Sequence, residues 1–412
     1  MINQVLNYLF LFFQIIVGFF SMYYAIISVF GLYKKRERKN YKPEKRFALF
    51  VAAHNEEAVV GQIVDNLKEV DYPKDMYDIY VICDNCNDNT AKIVKEHGGN
   101  AWERFNDTKK GKGYALEWAF DRLFKMDEKY DGILMFDADN LVSKNFLKEM
   151  NNKLIKGYKV VQGYLDSKNP SDTWITASYA VAYWTVNRMF QLARYNLGMY
   201  SALGGTGICI EYNTLKEMGW GATSLTEDLE FTMRCLLRGI RPVWAHDCKV
   251  YDEKPLSFKA SWKQRVRWLQ GHWDVCMNYT GKLLKKGLKE FDINCIDGAI
   301  YLLQPSRIIL NFFVMFMAFI QTFYPTGFGF IGYYVPAWFW YLGVFFSWGV
   351  PIIVLISEKI PLKNFISLIY LPLYGLTWIP ISIIGFFRRN EKEWCHTVHN
   401  RTVSKSEMEM ID

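Results

Sequence analysis

The stretch Gly132-Ile133-Leu134-Met135-Phe136-Asp137-Ala138-Asp139-Asn140 joins a short apolar run to two carboxylates. The apolar run predicts a buried strand, and the acidic pair Asp137 and Asp139 then stands where that strand leaves its sheet. Ligands of open α/β sheets bind beyond the carboxyl ends of the strands, so the pair is placed for a site. Two carboxylates this close repel each other, and a divalent metal that also binds phosphate oxygens would relieve the repulsion. A solvated pair of loop residues is the alternative for this motif taken alone.

Two further strands are predicted upstream, and each is followed by a helix. The apolar runs Arg46–Ala53 and Asp78–Cys83 indicate strands, while Ala58–Val70 and Ala91–His97 show helical spacing. This alternation predicts a right-handed βαβαβ unit in an α/β, Rossmann-like, mostly parallel sheet. Neither of the turns between these strands and helices carries a G-x-G-x-x-G motif, so dinucleotide binding through a glycine-rich loop is not expected.

Polar side chains follow both of these strands and outline a nucleotide site. His54, Asn55 and Glu56 follow the first strand, and Asp84 follows the second, so the two clusters meet at one edge of the sheet. Asp84 is placed to accept hydrogen bonds from a base or a ribose. Lys112 lies in a glycine-flanked turn before a helix, where it is placed to bind phosphate with the helix N-terminus. A solvated loop lysine is the alternative.

Two stretches after the acidic pair add candidate residues. The glycine run around Gly205 allows the backbone to approach a ligand closely, or simply forms a tight turn. Thr226 is the predicted N-cap of a helix that ends at Leu237, and Glu227 and Asp228 suit the positive end of that helix. Beyond this structural explanation, Asp228 is a candidate general base that deprotonates an acceptor hydroxyl.

Gln264, Arg267 and Trp268 share one face of a predicted helix, Ser257–Asn278. The helix also carries several tryptophans and cations, a composition typical of a helix that lies on a membrane surface. Both interpretations hold together if one face contacts lipid and the other covers the site.

Several apolar segments predict a membrane protein. Val5–Tyr33 has no charged residue and exceeds the roughly 20 apolar residues that cross a bilayer. It lacks a basic leader, so a retained helix is predicted and not a signal peptide. The cluster Lys34–Lys39 then marks the cytosolic side and indicates anionic lipid, not nucleic acid, as the partner of the positive charge. Ile308–Tyr324, Val335–Ser357 and Phe365–Phe387 are further predicted spans.

We therefore expect five regions along the chain. They are a transmembrane helix at residues 1–33, a cytosolic domain at 34–256, interfacial helices at 257–305, transmembrane helices at 306–387 and a polar tail at 388–412. Three C-terminal spans place the tail outside, whereas Arg388 and Arg389 favour the cytosol, so the number of spans stays open. The eight cysteines are expected to be thiols, because the protein is expected to face the cytosol.

The motifs together resemble those of family 2 glycosyltransferases, in the same order and at similar spacing. They are His54-Asn55-Glu56, Asp84 within D-x-x-x-D-x-T, Asp137-Ala138-Asp139, Thr226-Glu227-Asp228 and Gln264-x-x-Arg267-Trp268. The resemblance covers roughly residues 46–275. More narrowly, the chain is similar to the membrane-embedded synthases of cellulose, chitin, hyaluronan and poly-N-acetylglucosamine.

The resemblance implies a GT-A fold and an inverting hexosyltransferase that uses a UDP-sugar. The residues that it assigns to the nucleotide sugar are His54, Asn55, Glu56, Asp84, Lys112, Asp137, Gln264 and Arg267. Those that it assigns to a Mg²⁺ or Mn²⁺ ion are Asp137 and Asp139. The catalytic residues would be Asp228 as base, with Glu227 and Arg267, and the acceptor would contact Trp268, Gly205 and Thr226.

Three functions follow from this resemblance. The first is a processive synthase that extends a β-linked polysaccharide from UDP-N-acetylglucosamine, and the second transfers a single sugar to a lipid acceptor. The third is a membrane scaffold of the same fold without turnover. The expected location is a bacterial cell membrane, with several spans and a cytoplasmic catalytic domain. An accessory subunit is compatible with each function.

Overall fold

The computed structural model describes residues 2–39, 42–323, 349–391 and 401–402 of the chain. Most of the predicted span Val335–Ser357 and most of the polar tail lie outside these residues. The strands are β1 (Phe47–Ala53), β2 (Tyr77–Asp84), β3 (Asn100–Arg104), β4 (Gly132–Asp137), β5 (Leu141–Val142), β6 (Val160–Ser167), β7 (Ile208–Glu211) and β8 (Val243–Asp252).

The helices alternate with these strands and then dominate the C-terminal third. They are α1 (Ile2–Val29), α2 (Val60–Lys68), α3 (Thr90–Glu96), α4 (Lys112–Leu123), α5 (Phe146–Ile155), α6 (Trp174–Val186), α7 (Ala193–Asn196), α8 (Tyr212–Met218), α9 (Glu227–Leu237), α10 (Phe258–Glu290), α11 (Ile293–Leu302), α12 (Gln304–Phe323), α13 (residues 349–357) and α14 (Leu371–Phe387). A π-helical segment, Asn187–Leu192, joins α6 to α7.

The strands form one mixed sheet in the spatial order β3-β2-β1-β4-β7-β6-β8-β5. The pairs from β3 to β4 are parallel, as the βαβαβ prediction requires, and β6 pairs with β8 in parallel. However, β7 runs antiparallel to both of its neighbours, β4 and β6, and β5 runs antiparallel to β8. The expectation of a mostly parallel sheet is therefore corrected to a mixed one. The βαβ spacing determined only the first half of the sheet. In the second half, α6, the π-helical segment and α7 connect β6 to β7, and β7 then pairs with β6 in the antiparallel direction.

The predicted strands β1, β2 and β4 are confirmed, with ends that differ by no more than one residue. Alternate side chains of β1 enter opposite apolar layers, as the period of a strand requires. Phe47 and Leu49 join the layer that contains α2, whereas Ala48 and Phe50 join the layer that contains α4. Because both faces are covered, the carboxyl edge of the sheet is the place left for polar side chains.

The helix predicted at Ser257–Asn278 is longer than expected. It begins at Phe258, after Ser257 Oγ accepts a hydrogen bond from the Ala260 N–H at 3.2 Å, and it ends only at Glu290. It packs against α9, α11 and α14. This helix α10 therefore connects the sheet domain to the apolar C-terminal helices.

By length and composition, one described helix can cross a membrane by itself, at Asn7–Val29 with a mean hydropathy of 2.0. Two helix pairs would each qualify if counted as one bent span. These are Ile293–Leu302 with Gln304–Met317, bent by 56°, and Leu362–Ile369 with Leu371–Phe387, bent by 50°. The described residues thus hold between one and three candidate spans.

Part of the basic cluster after α1 folds back onto the sheet domain. Lys34 and Lys39 both form ion pairs with Asp247, and Glu37 accepts a hydrogen bond from Lys153 at 2.8 Å. The sequence assigned this positive charge to lipid alone, but the structure neutralises part of it within the protein.

Candidate active site

A cavity of about 1540 Å³ opens at the carboxyl edge of β1, β2 and β4 and extends to the C-terminal helices. Nearly every site residue predicted from the sequence lines it. These residues are His54, Glu56, Asp84, Lys112, Asp137, Asp139, Gly205, Thr226, Glu227, Asp228, Gln264, Arg267 and Trp268. The strand ends, the start of α9 and one face of α10 thus meet around a single space.

Asn55 is the predicted site residue that does not line this cavity. Its backbone adopts a left-handed conformation with φ of 54°, and its side-chain oxygen accepts a hydrogen bond from the Asn87 N–H at 2.8 Å. Its own N–H donates to Cys86 Sγ at 3.4 Å. Asn55 therefore holds the loops after β1 and β2 together, in contrast to the predicted contact with the nucleotide.

One end of the cavity is organised around Asp84 at the end of β2. Its carbonyl oxygen contacts His54 Nδ1 at 2.6 Å, and its carboxyl Oδ1 accepts a hydrogen bond from Arg104. Burial raises the pKa of the Asp84 carboxyl above its usual range, and the Arg104 guanidinium opposes that rise. Arg104 also donates to the carbonyl of Lys109 at 2.7 Å, so it links Asp84 to the loop that leads to α4. Arg104 was not among the site residues predicted from the sequence.

Lys112 joins the acidic pair to the start of α9. Its Nζ atom lies 2.5 Å from Asp137 Oδ1, 2.6 Å from the Gly205 carbonyl oxygen and 3.7 Å from Glu227 Oε1. Burial works to lower the pKa of Lys112, but the carboxylates of Asp137 and Glu227 raise it above its usual value. The side chain is therefore a charged ammonium at the centre of the cavity, and the alternative of a solvated loop lysine is wrong.

Asp139 is buried and held on both carboxyl oxygens. Oδ1 accepts from the Asn140 side chain and Oδ2 from the Glu253 N–H, each at 3.0 Å, while its carbonyl oxygen accepts from Lys168 at 2.8 Å. In the described part of the chain, no group of three or more His, Cys, Asp or Glu residues is arranged to hold a metal. A metal here would therefore need oxygen ligands from a substrate in addition to the Asp137 and Asp139 carboxylates.

Asp252, at the end of β8, is a further carboxylate at the cavity that the sequence analysis missed. Its Oδ1 is buried without a hydrogen-bond partner among the described residues, and Oδ2 accepts from Lys254 at 2.7 Å. Burial raises the pKa of Asp252, and Lys254 opposes the rise. The feature of the sequence that could have identified Asp252 is that it ends a strand, just as Asp84 and Asp137 do.

Asp228 lies in the first turn of α9, inside the cavity. Burial and the neighbouring Glu227 carboxylate raise the pKa of Asp228 to about 7, against a hydrogen bond from the Leu229 N–H at 2.8 Å. Burial likewise raises the pKa of Glu227, and the Lys112 ammonium opposes that rise. A carboxyl group with a pKa near neutrality is matched to accepting a proton at physiological pH.

The expected cap at Thr226 is corrected in detail. Thr226 precedes α9 as predicted, but its hydroxyl makes no capping hydrogen bond, and among the described residues its Oγ1 has no partner at all. The hydroxyl lies against Gly271 of α10, so closely that a Cβ at that glycine would sit 2.6 Å from it. Packing between α9 and α10 therefore takes the side chain away from the helix N-terminus.

Gly205 is a position that only glycine suits. Its φ is 81°, and a Cβ there would lie 3.5 Å from Asp228 Oδ2 and 4.0 Å from Lys112 Nζ. The sequence left two roles open for this glycine run, a close approach of the backbone to a ligand or simply a tight turn. This geometry supports the first of them.

The residues of α10 form one wall of the cavity, as their shared face predicted. Gln264 Oε1 accepts a hydrogen bond from the Tyr179 hydroxyl at 3.0 Å, and the Trp268 ring packs edge-on against the Tyr179 ring. Arg267 makes no hydrogen bond to another residue in the described ranges, and its charge acts on Glu227. It is thus a cation available to a ligand.

The end of the cavity toward the C-terminal helices was not predicted. It has an apolar wall formed by Val186, Phe190, Tyr301, Pro305, Ile308 and Trp378, and the polar side chains of Asn187, Gln191, His272 and Gln304 also line the cavity. Tyr183 lines the cavity too, and burial with the Asp252 and Asp228 carboxylates raises the pKa of its phenol. The cavity therefore combines charged groups with a substantial apolar wall.

The sequence matches a protein-family profile described as "Glycosyltransferase like family 2" over residues 43–271. This match covers more than half of the chain and includes every motif described above. The chain belongs to glycosyltransferase family 2 and is therefore a transferase enzyme.

Two individual similarities extend this result. The probable glycosyltransferase YdaM of Bacillus subtilis is 25% identical over 368 residues, which cover 85% of this chain and 84% of that protein. Among solved structures, the mannosyltransferase PcManGT from Pyrobaculum calidifontis, in complex with GDP-Man and Mn²⁺, superposes with a TM-score of 0.61 at 14% identity. The superposition covers 94% of this chain and 100% of that chain, and it supports the GT-A fold.

Two relatives with more specific names match a smaller share of their own length. A β-monoglucosyldiacylglycerol synthase of Trichormus variabilis is 28% identical over 278 residues, 63% of this chain and 57% of the relative. A poly-β-1,6-N-acetyl-D-glucosamine synthase of Staphylococcus aureus (strain COL) is 25% identical over 273 residues, 63% of this chain and 64% of the relative.

Proposed function

We propose that this enzyme transfers a sugar with inversion from a UDP-sugar to a hydroxyl group of a membrane-borne acceptor, with Asp228 as the general base. The observation that carries the proposal is the position of Asp228. Its carboxyl group, with a pKa raised to about 7, lies in the same cavity as Asp84 and the acidic pair. Direct displacement by a hydroxyl that this one base deprotonates inverts the anomeric carbon, so an α-linked donor gives a β-linked product.

The donor would lie along the strand ends. Asp84, held by Arg104, offers a carboxylate oxygen to the N–H of uracil, and His54 and Glu56 line the same end of the cavity. Lys112 and Arg267 would bind the diphosphate, where their charges stabilise the negative charge that develops on departing UDP. We retain UDP-N-acetylglucosamine as the preferred donor sugar.

The carboxylates at this place would supply some of the oxygen ligands that a divalent metal needs. Asp137 and Asp139 supply hard oxygen ligands beside the proposed diphosphate, and the buried, unpartnered Oδ1 of Asp252 lies close by. When bound, Mg²⁺ or Mn²⁺ would neutralise phosphate charge. Lys112 already pairs with Asp137. If a metal bound the Asp137 carboxylate instead, the ammonium group would be free to pair with a phosphate oxygen.

We favour a lipid as the acceptor. The apolar wall leads from Asp228 toward α12 and α14, where an acyl or prenyl chain would replace water, whereas the hydroxyl end would face the base. Similarity to the glucosyldiacylglycerol synthase supports this acceptor. A growing β-linked polysaccharide is the second candidate, supported by the motif set and by similarity to the poly-N-acetylglucosamine synthase.

The proposed location is a bacterial cell membrane, with the catalytic domain in the cytoplasm. The five regions expected from the sequence are retained in this proposal, with α1 as the first span, Ile293–Leu302 among the interfacial helices, and α12 and α14 in the C-terminal membrane region. Contact with membrane lipids follows from these helices. Nucleic acid is not a proposed partner, and an accessory subunit stays compatible with the proposal.

The test is UDP release by the full chain in membranes, with Mg²⁺ or Mn²⁺ and a panel of UDP-sugars, followed by sizing of the product. Asp228→Asn should bind UDP as the wild type does and lose about 10²–10⁴-fold in turnover, the usual contribution of a general base. A lipid bearing one sugar supports the lipid acceptor, and a long glycan supports the polysaccharide. Turnover equal to that of the wild type in Asp228→Asn would refute the base assignment.

A further inference from the structure

A buried ion pair joins the cytosolic domain to the helices beside α1. Arg194 of α7 donates from Nε and Nη2 to the two carboxyl oxygens of Asp297 at 2.8 and 2.9 Å, and both side chains are fully buried. Tyr23 of α1 donates to the same carboxylate at 2.6 Å. Asp297 therefore has its charge compensated by one arginine and a phenol.

A second arginine lies next to this pair without a carboxylate of its own. The Arg307 guanidinium of α12 stacks on the Tyr24 ring at 4.2 Å, and the Arg194 guanidinium lies 5.6 Å from the same ring. Arg307 forms no ion pair with any residue in the described ranges. Two cations and one anion therefore leave a net positive charge in a largely buried place, which is costly unless an anion compensates it.

Hydrogen-bond donors without partners gather at the same point. The atoms are Arg194 Nη1, Arg307 Nε, Tyr24 OH and Tyr200 OH, all buried and unpaired among the described residues. Buried donors are nearly always satisfied in folded proteins, so several in one place indicate an acceptor that the chain itself does not supply. Water would accept these hydrogen bonds but would leave the charge uncompensated.

The position of the cluster indicates where such an anion would come from. Tyr24 lies in the last part of the candidate span Asn7–Val29, and Arg307 lies in the first turn of α12, just after the 56° bend. On the proposed orientation, both sites are at the depth of the inner-leaflet headgroups, because the basic residues Lys34 and Lys35 follow α1 directly.

We propose that Arg194, Arg307, Tyr24 and Tyr200 form a binding site for the phosphate of an anionic membrane lipid, between α1 and α12. Guanidinium groups bind phosphate oxygens through several parallel hydrogen bonds, and they form stronger hydrogen bonds with ionised acceptors than with neutral ones. A lipid with a net negative charge compensates the extra arginine, whereas a zwitterionic one also brings a cation. The cluster borders the cavity, because the Arg194 guanidinium lies 3.6 Å from the centroid of the Phe190 ring, which lines that cavity. The proposal does not depend on which acceptor the enzyme uses.

The test measures lipid binding, so it stays independent of turnover. The full chain, purified in detergent, is mixed with equal amounts of phosphatidylglycerol and phosphatidylcholine, and the retained lipids are counted by native mass spectrometry. The wild type should retain one phosphatidylglycerol in preference. Arg307→Gln should lose this preference about tenfold or more, the size expected for about 1.4 kcal/mol in binding, and Arg307→Lys should lose less.

Arg389→Gln is the matched control, because Arg389 also stacks on an aromatic ring beside a C-terminal helix, 4.5 Å from Phe386, but its Nη1 donates to the Phe386 carbonyl. It should bind phosphatidylglycerol as the wild type does. If Arg307→Gln does not fold, Tyr24→Phe removes one unpaired donor and should also weaken the preference. An unchanged preference in folded Arg307→Gln would overturn the proposal. Thermal stabilisation by inorganic phosphate, without any preference for phosphatidylglycerol, would overturn the lipid assignment.

Discussion

The Nζ atom of Lys112 lies 2.5 Å from Oδ1 of Asp137 and 2.6 Å from the carbonyl oxygen of Gly205. One ammonium group thus connects the carboxyl edge of the sheet to the glycine turn and, through Glu227, to α9, the helix that carries the proposed base Asp228. Substrate phosphate and the Asp137 carboxylate would compete for this cation. The Asp137 carboxylate is therefore paired within the protein before any ligand binds.

We expect Lys112→Met to raise KM for the UDP-sugar about ten- to hundredfold, because a hydrogen bond to a charged group contributes about 1.5–3 kcal/mol. Steady-state kinetics and UDP competition measure the change. Lys125→Met, on the surface just after α4, is the control and should behave as the wild type. An unaltered KM in Lys112→Met would mean that Lys112 does not bind the UDP-sugar and serves only to hold the fold together.

The activity should rise with pH through about 7, because the proposed base accepts a proton only when Asp228 is ionised. Burial and the Glu227 carboxylate raise the pKa of Asp228, so below that pKa the group is protonated and turnover falls. In Glu227→Gln the neighbouring negative charge is removed, and the acid limb of the kcat/KM profile should move to lower pH. If the acid limb of the profile stays at the same pH in Glu227→Gln, a group other than Asp228 determines that limb.

The sequence predicted the strand-end half of the site well, because each residue there depends on local information. An apolar run followed at once by an acid is visible in the chain at Asp84 and at Asp137, and both side chains line the cavity. Asp252 has the same signal at the end of β8 but lies far along the chain. Its closeness to Asp139 depends on the antiparallel pairing of β5 with β8, in which Leu141 lies opposite Tyr251, and no local pattern encodes that pairing.

The departures from prediction have physical causes of the same long-range kind. Thr226 has the sequence of a helix cap, but the approach of α10 at Gly271 determines where its hydroxyl points. Asn55 has the residue type of a ligand contact, but its left-handed backbone directs the amide to the neighbouring loop. The apolar wall of the cavity comes from separate helices that meet only in the folded protein.

Gly205 offers a test that separates stability from function. Gly205 and Gly219 have φ values of 81° and 64°, so alanine at either position strains the backbone by about 1–3 kcal/mol. A Cβ at Gly219 would meet nothing within 4 Å, whereas one at Gly205 would lie 3.5 Å from Asp228 Oδ2. Both variants should lose stability in thermal unfolding, and only Gly205→Ala should lower turnover. Equal turnover in the two variants would remove Gly205 from the site.

The acidic pair can be tested without measuring turnover. Asp139→Asn keeps the size of the side chain but removes one charge and puts an amide near the Glu253 N–H, which donates to Oδ2 at 3.0 Å in the wild type. If the pair helps to hold a divalent metal, Mn²⁺ should strengthen UDP binding to the wild type and should do so less in this variant. Isothermal titration of UDP, with and without Mn²⁺, measures the difference.

Asp172→Asn, at a carboxylate that pairs with Arg401 outside the cavity, is the control and should keep the full metal effect. A metal effect in Asp139→Asn as large as that in the control would mean that Asp139 is not a metal ligand, and its hydrogen bonds to Asn140 and Glu253 would then be its main role.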